Sequence, residues 1–120
     1  MKEKPIRILH VEDDETFIEL VDMMLSDKHF KVDVARNGVE AIDMAFKDIH
    51  NIILMDIKMP IMDGREASII IKKTLSHIPV IAVTAYDVNL KEDSFFDDIL
   101  RKPFTRKKLQ EKILEHYLKS

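Results

Sequence analysis

Cysteine is absent from the 120 residues, which excludes a disulfide framework, thiol catalysis and cysteine-ligated zinc or iron–sulfur sites. A reducing, cytoplasmic setting is compatible with that absence and is the expected localisation. Neither sign of charge is in excess. With 19 Lys and Arg against 22 Asp and Glu, bulk electrostatics gives no support for direct nucleic-acid binding by this chain. No run approaches the roughly 18 consecutive apolar residues that suggest a membrane span. The start, MKEKPIRILH, passes from Lys2 and Lys4 straight into a short alternating run, unlike a secretory leader. Repeats, low-complexity tracts and Gly/Ser linkers are lacking too. The expectation is one domain over residues 1–120, large enough to bury a core unaided and followed by no output segment.

What is present is an alternation of two periodicities. Short β-rich runs stand at Ile6 to Val11, Phe30 to Ala35, Asn51 to Asp56, Pro79 to Thr84 and, weakly, Ile99 to Lys102. Helix-period segments lie between them, so the fold class is α/β with a five-stranded parallel sheet covered on both faces. A first helix is predicted from about Glu15 to Asp27, with Phe17, Leu20, Val21, Met24 and Leu25 as its apolar stripe. Gly38 opens a second, with Ala41, Ile42, Ala45 and Phe46 inward. Asp63 and Gly64 punctuate the start of a third carrying Ala67, Ile70, Ile71 and Leu75. The last starts at an N-cap, Thr105, and turns Leu109, Ile113, Leu114 and Tyr117 inward. Between Tyr86 and Asp98 the pattern is poor, and only a short fourth helix is expected.

The chemistry gathers at strand ends. In an open parallel sheet, ligands sit outside the carboxyl ends of the strands, where the strand order reverses. Strand one ends in VEDD, bringing Glu12 and Asp13 to its mouth, and strand three ends on Asp56. If those strands are neighbours, three carboxylates converge, and a hard divalent cation is the simplest relief of their repulsion. Mg²⁺ suits the site, because it takes oxygen ligands and is commonly shared between carboxylates and a phosphate. Ca²⁺ would want more protein oxygens, and no loop has the acid spacing of an EF-hand. Thr84 closes strand four with a hydroxyl and Lys102, before Pro103, closes strand five with an ammonium. Together these groups would surround a phosphoryl group bonded to an aspartate, which makes Asp56 a nucleophile.

VEDD at 11–14, LMDIKMPIMDG at 54–64, VTA at 83–85 and KPF at 102–104 resemble, in order and spacing over nearly the whole chain, the motifs of the response-regulator receiver domain of two-component signalling. The resemblance implies a flavodoxin-like doubly wound sheet of order 2-1-3-4-5. It implies that Asp56 accepts a phosphoryl group from a phosphohistidine on a sensor histidine kinase or histidine phosphotransfer protein. Asp13, Asp56 and the backbone carbonyl of Lys58 would bind Mg²⁺, with Glu12 acting mostly through a metal-bound water. Thr84 and Lys102 would each bond a phosphoryl oxygen, and the Lys102–Pro103 peptide would be cis. Lys58 and Tyr86 would tune the lifetime of the phosphoryl group. Output would pass through the face made by the fourth helix, fifth strand and last helix to a downstream protein partner or fused module.

Two departures bear on that output. Ile99 stands three residues before Lys102, where the family often carries an aromatic switch residue, and Phe95 and Phe96 replace a small Gly-Ala pair. They motivate a rival reading, a receiver-fold docking module whose signalling does not depend on phosphorylation. A flavodoxin-like cofactor binder fails on charge, because HVEDDE offers carboxylates where a phosphate-cradling loop is needed. An aspartate-nucleophile phosphohydrolase would place a second acid two residues after the nucleophile, where Lys58 stands. Asp63, Gly64 and Pro60 are read as turn chemistry, and Asp14 as a helix cap. His10, His29, His50, His77 and His116 lack ligand spacing; His10, within a strand, is expected to be hydrogen-bonded in the core.

Overall fold

The computed structural model describes residues 4–85 and 88–119. Its elements run β1 (Ile6–Val11), α1 (Glu15–Met24), β2 (Phe30–Ala35), α2 (Gly38–Ala45), β3 (Ile52–Asp56), α3 (Gly64–Thr74), β4 (Val80–Thr84), β5 (Asp98–Arg101) and α4 (Arg106–Lys119). The five strands form one sheet in the order β2-β1-β3-β4-β5, every pair parallel. β3 and β4 are buried at every position, as expected of central strands covered on both faces. α2 and α3 pack on one face over Leu9, Val11, Ile53, Met55, Val80 and Ala82. α1 and α4 pack on the other over Ile6, Ile8, Ile52, Leu54, Ile81 and Val83.

The helix starts follow cap chemistry. Asp14, Asn37 and Asp63 each accept a backbone N–H of the first turn through the side chain, from Thr16, Glu40 and Glu66 respectively. α1 stops at Met24, short of the expected Asp27. Asp27 accepts the amide of His29 at 2.9 Å and so folds the chain into a turn before β2. The buried stripes are narrower than the apolar periodicity suggests, since Leu20, Phe46, Ile70 and Leu114 are between 39% and 47% exposed.

The short helix expected between β4 and β5 does not form among the described residues, which run through turns instead. Asn89 accounts for part of this. Its side chain accepts the Lys91 amide at 3.0 Å while its carbonyl takes the amides of Glu92 and Asp93, a local arrangement that competes with helix propagation. The adjacent pair Phe95 and Phe96 also spans one inward position rather than a helical stripe. Phe96 is 3% exposed in the α2/α3 core and Phe95 lies on it, with ring centroids 4.8 Å apart.

Ion pairs complete the anchoring of this connection to α3. Arg65 donates two hydrogen bonds to Asp93, at 3.2 and 3.4 Å, and Lys72 Nζ lies 2.8 Å from Asp97, whose carboxylate also accepts the Val80 amide at 2.7 Å. Arg65→Ala is expected to cost less than about 1 kcal/mol of global stability, because Arg65 is partly exposed. Amide exchange in residues 89–97 should nonetheless rise by about tenfold as the connection opens locally. Unchanged exchange in that segment would show that the Arg65–Asp93 pair does not hold it and that the phenylalanines and the Asp97 contacts suffice.

Candidate functional site

The strand order reverses beside β1, and the crevice at the carboxyl ends of β1 and β3 is where the acids collect. Val11 pairs with Met55, so the next residues, Glu12 and Asp56, come side by side as the strands end. Carboxylate oxygens of Glu12, Asp13 and Asp56 lie within 4.8 Å of one another. Glu12 and Asp56 are buried and Asp13 is exposed. The Asp14 amide donates to Glu12 Oε2 at 3.3 Å and the Ile57 amide to Asp56 Oδ1 at 2.8 Å, which holds both carboxylates against the strand ends.

Lys102 enters from one residue beyond β5. Its amide donates to the Thr84 carbonyl at 2.9 Å, linking the ends of β4 and β5, and the Lys102–Pro103 peptide is cis. Its Nζ lies 2.9 Å from Glu12 Oε1 and 3.8 Å from Asp56 Oδ1. Thr84 is 1% exposed and sits one residue past Val83, the register partner of Asp56. The carboxylates of Glu12, Asp13 and Asp56 and the Lys102 ammonium therefore meet in one crevice, and Thr84 ends the strand beside Asp56. Tyr86 lies outside the described residues. Ile99 is half-buried on β5, beside an open groove of about 450 Å³ that Pro103, Phe104 and Lys108 also line.

Electrostatics marks Asp56 as the group under stress. Burial and then the charge of Glu12 push its pKa up to about 7, with Lys102 pulling the other way. A divalent cation among the three oxygens would relieve that repulsion. The donor set, carboxylates with an exposed third ligand at the open side, suits a hard ion that keeps several waters. Among the described residues this acid group contains no histidine. His50, His77 and His116 instead pair with Asp33, Asp48 and Asp98 at 2.8 to 2.9 Å. His10 corrects an expectation: neither ring nitrogen has a hydrogen-bond partner among the described residues. The ring packs against Phe17 instead, and burial followed by the charge of Lys102 lowers its pKa to about 4, so it is neutral at pH 7.

The loop between β3 and α3 shows two features that turn chemistry alone does not convey. The Met62 amide donates to the Pro60 carbonyl at 2.8 Å around Ile61, which has φ 73° and is 82% exposed. This is a γ-turn in a strained region for a β-branched residue. Gly64 then brings the start of α3 directly onto the β3 backbone, its amide 2.7 Å from the Ile57 carbonyl. A Cβ there would lie 1.9 Å from the Asp56 carbonyl oxygen. Asp63 is the helix cap that its position suggested. Gly64 is that and more, because only a residue without a side chain permits this approach.

Comparisons with known proteins agree with this geometry. Residues 8–114 match the family described as the response regulator receiver domain. The transcription factor SKN7 of Chaetomium thermophilum is 37% identical over 121 residues, covering 96% of this chain and 16% of that protein. Response regulator MprA of a Mycobacterium species (strain KMS) is 33% identical over 109 residues, 88% of this chain and 47% of the relative. The chain thus spans less than half the length of either relative. The receiver domain of the sensor histidine kinase PA1611 from Pseudomonas aeruginosa PAO1, solved with magnesium coordinated in its active-site cleft, superposes with a TM-score of 0.85 at 28% identity. That match covers 94% of this chain and 98% of the other. Fold, strand-end groups and sequence match together identify the chain as a member of the response-regulator receiver family.

Proposed function

We propose that this chain is a phosphoacceptor domain of a two-component or phosphorelay pathway, with Asp56 as the phosphorylated residue. The observation that carries the reading is the convergence on Asp56 of two acids within 4.8 Å and of the Lys102 ammonium at 3.8 Å. An Asp56 carboxylate oxygen attacks the phosphorus of a phosphohistidine on a sensor histidine kinase or histidine phosphotransfer protein. The O–P bond forms, the N–P bond breaks, and the leaving imidazole takes a proton from solvent. Lys102 Nζ and the Thr84 hydroxyl bond oxygens of the transferred group and offset its charge. Loss of the group is attack by water on phosphorus, which returns the Asp56 carboxylate and releases inorganic phosphate; Lys58 and Tyr86 are the residues that tune its rate.

Glu12, Asp13, Asp56 and the Lys58 carbonyl are the groups that would hold Mg²⁺. When bound, the ion supplies charge neutralisation for the phosphoryl oxygens and for the acid cluster. The chain catalyses only its own phosphorylation and dephosphorylation. It acts in the cytoplasm as a single domain, and its output reaches a downstream protein or a fused module, without direct contact of this chain with nucleic acid or membrane. Among the described residues no helix is long and apolar enough to cross a membrane.

A docking module indifferent to phosphorylation is the second reading, favoured by Ile99 at the switch position and by the absence of a helix between β4 and β5 among the described residues. One experiment separates the two. The purified chain incubated with Mg²⁺ and a small acyl phosphate is expected to gain one phosphoryl group by intact mass, and to gain none without metal. A beryllofluoride complex, formed in parallel, should alter the amide spectrum around Ile99. No adduct and no beryllofluoride complex would sink the phosphoacceptor reading, and an adduct with an unaltered β5 would favour docking.

A further inference from the structure

Lys102 has an anchor that is not a carboxylate. Its Nζ lies 4.1 Å from the centroid of the Phe17 ring, inside the range in which an aromatic face attracts an ammonium. Phe17 is itself held by two edge contacts. Phe104 meets it at 5.6 Å between centroids with an interplanar angle of 89°, and His10 at 6.0 Å and 62°. These edge-on arrangements are favoured between aromatic rings. They fix the ring from its sides and leave a face for the ammonium.

The anchor answers a problem created by the site. Glu12 and Asp56, the charged partners of Lys102, are also the residues placed to receive a divalent cation. A cation there repels the ammonium and takes the oxygens it pairs with. A lysine has a flexible four-carbon stem, and the Lys102 side chain is already 21% exposed, so without another attraction it would turn to solvent just when a phosphoryl group needs it. An aromatic face holds an ammonium by its quadrupole, and a hard cation that prefers oxygen does not compete for it.

We infer that Phe17 is a positioning residue: its ring face keeps the Lys102 ammonium inside the site when the acid cluster is occupied by a cation, ready for the incoming phosphoryl oxygens. This rests on the proposed phosphoacceptor function and goes beyond it. The spacing of Phe17 with Leu20 and Val21 marks it only as part of an apolar helix stripe, and the second role exists in the fold alone.

The test combines Phe17→Leu with replacement of Phe17 by mono-, di- and trifluorinated phenylalanine, which keep the ring's size while draining its face of negative charge. Three readouts are taken: the rate of phosphoryl uptake from a small acyl phosphate at saturating Mg²⁺, the Mg²⁺ dissociation constant, and the proton shifts of the Lys102 ε-methylene in the metal-free chain. Phe17→Leu is expected to slow uptake by about 3- to 30-fold while leaving the Mg²⁺ constant within about twofold. The fluorinated series should fall in steps with ring charge, which a packing role would not produce. The upfield ring-current shift of Lys102 should vanish in Phe17→Leu. Uptake that is flat across the fluorinated series, or a Lys102 shift indifferent to Phe17, would overturn the role while leaving the phosphoacceptor reading intact. A wild-type chain that neither takes up a phosphoryl group nor forms the beryllofluoride complex would overturn both.

Discussion

Asp56→Asn is expected to abolish phosphoryl uptake and, in the metal-free protein, to make the fold more stable at neutral and alkaline pH. The first effect follows from removing the attacking oxygen. The second follows from the pKa of about 7 that burial and Glu12 impose on Asp56. An aspartate in an unfolded chain titrates near 3.9, so between about pH 4 and about pH 7 the folded state binds more protons than the unfolded one. The contribution of Asp56 to stability therefore falls as pH rises through that window and is fully unfavourable above it. Asparagine carries no such charge, keeps an oxygen for the Ile57 amide, and leaves Lys102 its Glu12 partner.

Chemical denaturation should then show Asp56→Asn more stable than the parent by about 1 to 3 kcal/mol at about pH 8, with little difference at about pH 4.5. Mg²⁺ should close much of the gap by binding the folded parent preferentially. An equal gain at both pH values would mean that the carboxylate is not under electrostatic stress and that the substitution acts by packing.

Much of this site was legible because its residues terminate strands. Asp56 follows Ile52 to Met55, a run buried at each position, and the end of a buried strand is a place that sequence can name. Glu12, Thr84 and Lys102 are legible in the same way. That Glu12 stands beside Asp56 was not, because adjacency depends on strand order. The order 2-1-3-4-5 came from resemblance to a family and not from periodicity. The cap residues Asp14 and Asp63 were readable because capping is local chemistry.

What was not legible depends on distance across the fold. Phe17 and Leu20 carry the same signal in the α1 stripe, yet one ring lies under Lys102 and the other side chain is 43% exposed. His10 was expected to find a hydrogen bond because buried polar groups usually do, and its neighbour proved to be an aromatic ring. The connection from β4 to β5 was expected to be a short helix. It is held instead by Phe96 in the core and by Arg65 and Lys72 of α3. Those contacts couple it to the helix whose first residue packs on Asp56, and no local pattern announces them.

That first residue carries the second large effect. Gly64→Ala is expected to destabilise the fold by about 3 kcal/mol or more, at or above the upper end of ordinary overpacking. The added Cβ would lie 1.9 Å from the Asp56 carbonyl oxygen and 2.9 Å from its carbon. Both are backbone atoms at the end of a buried central strand, so they cannot turn aside as a flexible side chain would. Gly64 has no positive φ, so the cost is one of approach and not of conformation. Relief requires α3 or the end of β3 to move, and either displaces Asp56 from Glu12 and Lys102. Misplacement on the order of 1 Å can lower a positioned reaction by about 100-fold, and phosphoryl uptake should fall by that order even in the fraction that folds. Two controls separate the causes. Asp63→Ala removes the cap of the same helix, should cost about 1 kcal/mol, and should leave uptake near the parent rate. Gly38→Ala puts its Cβ 2.6 Å from the Met62 carbonyl oxygen, an atom on a loop that can yield, and should lie between the two. A Gly64→Ala chain with parental melting temperature and parental uptake would show that α3 does not bear on Asp56 in solution. The opposite ordering of the two glycines would place the sensitive contact at the Pro60–Asp63 loop instead.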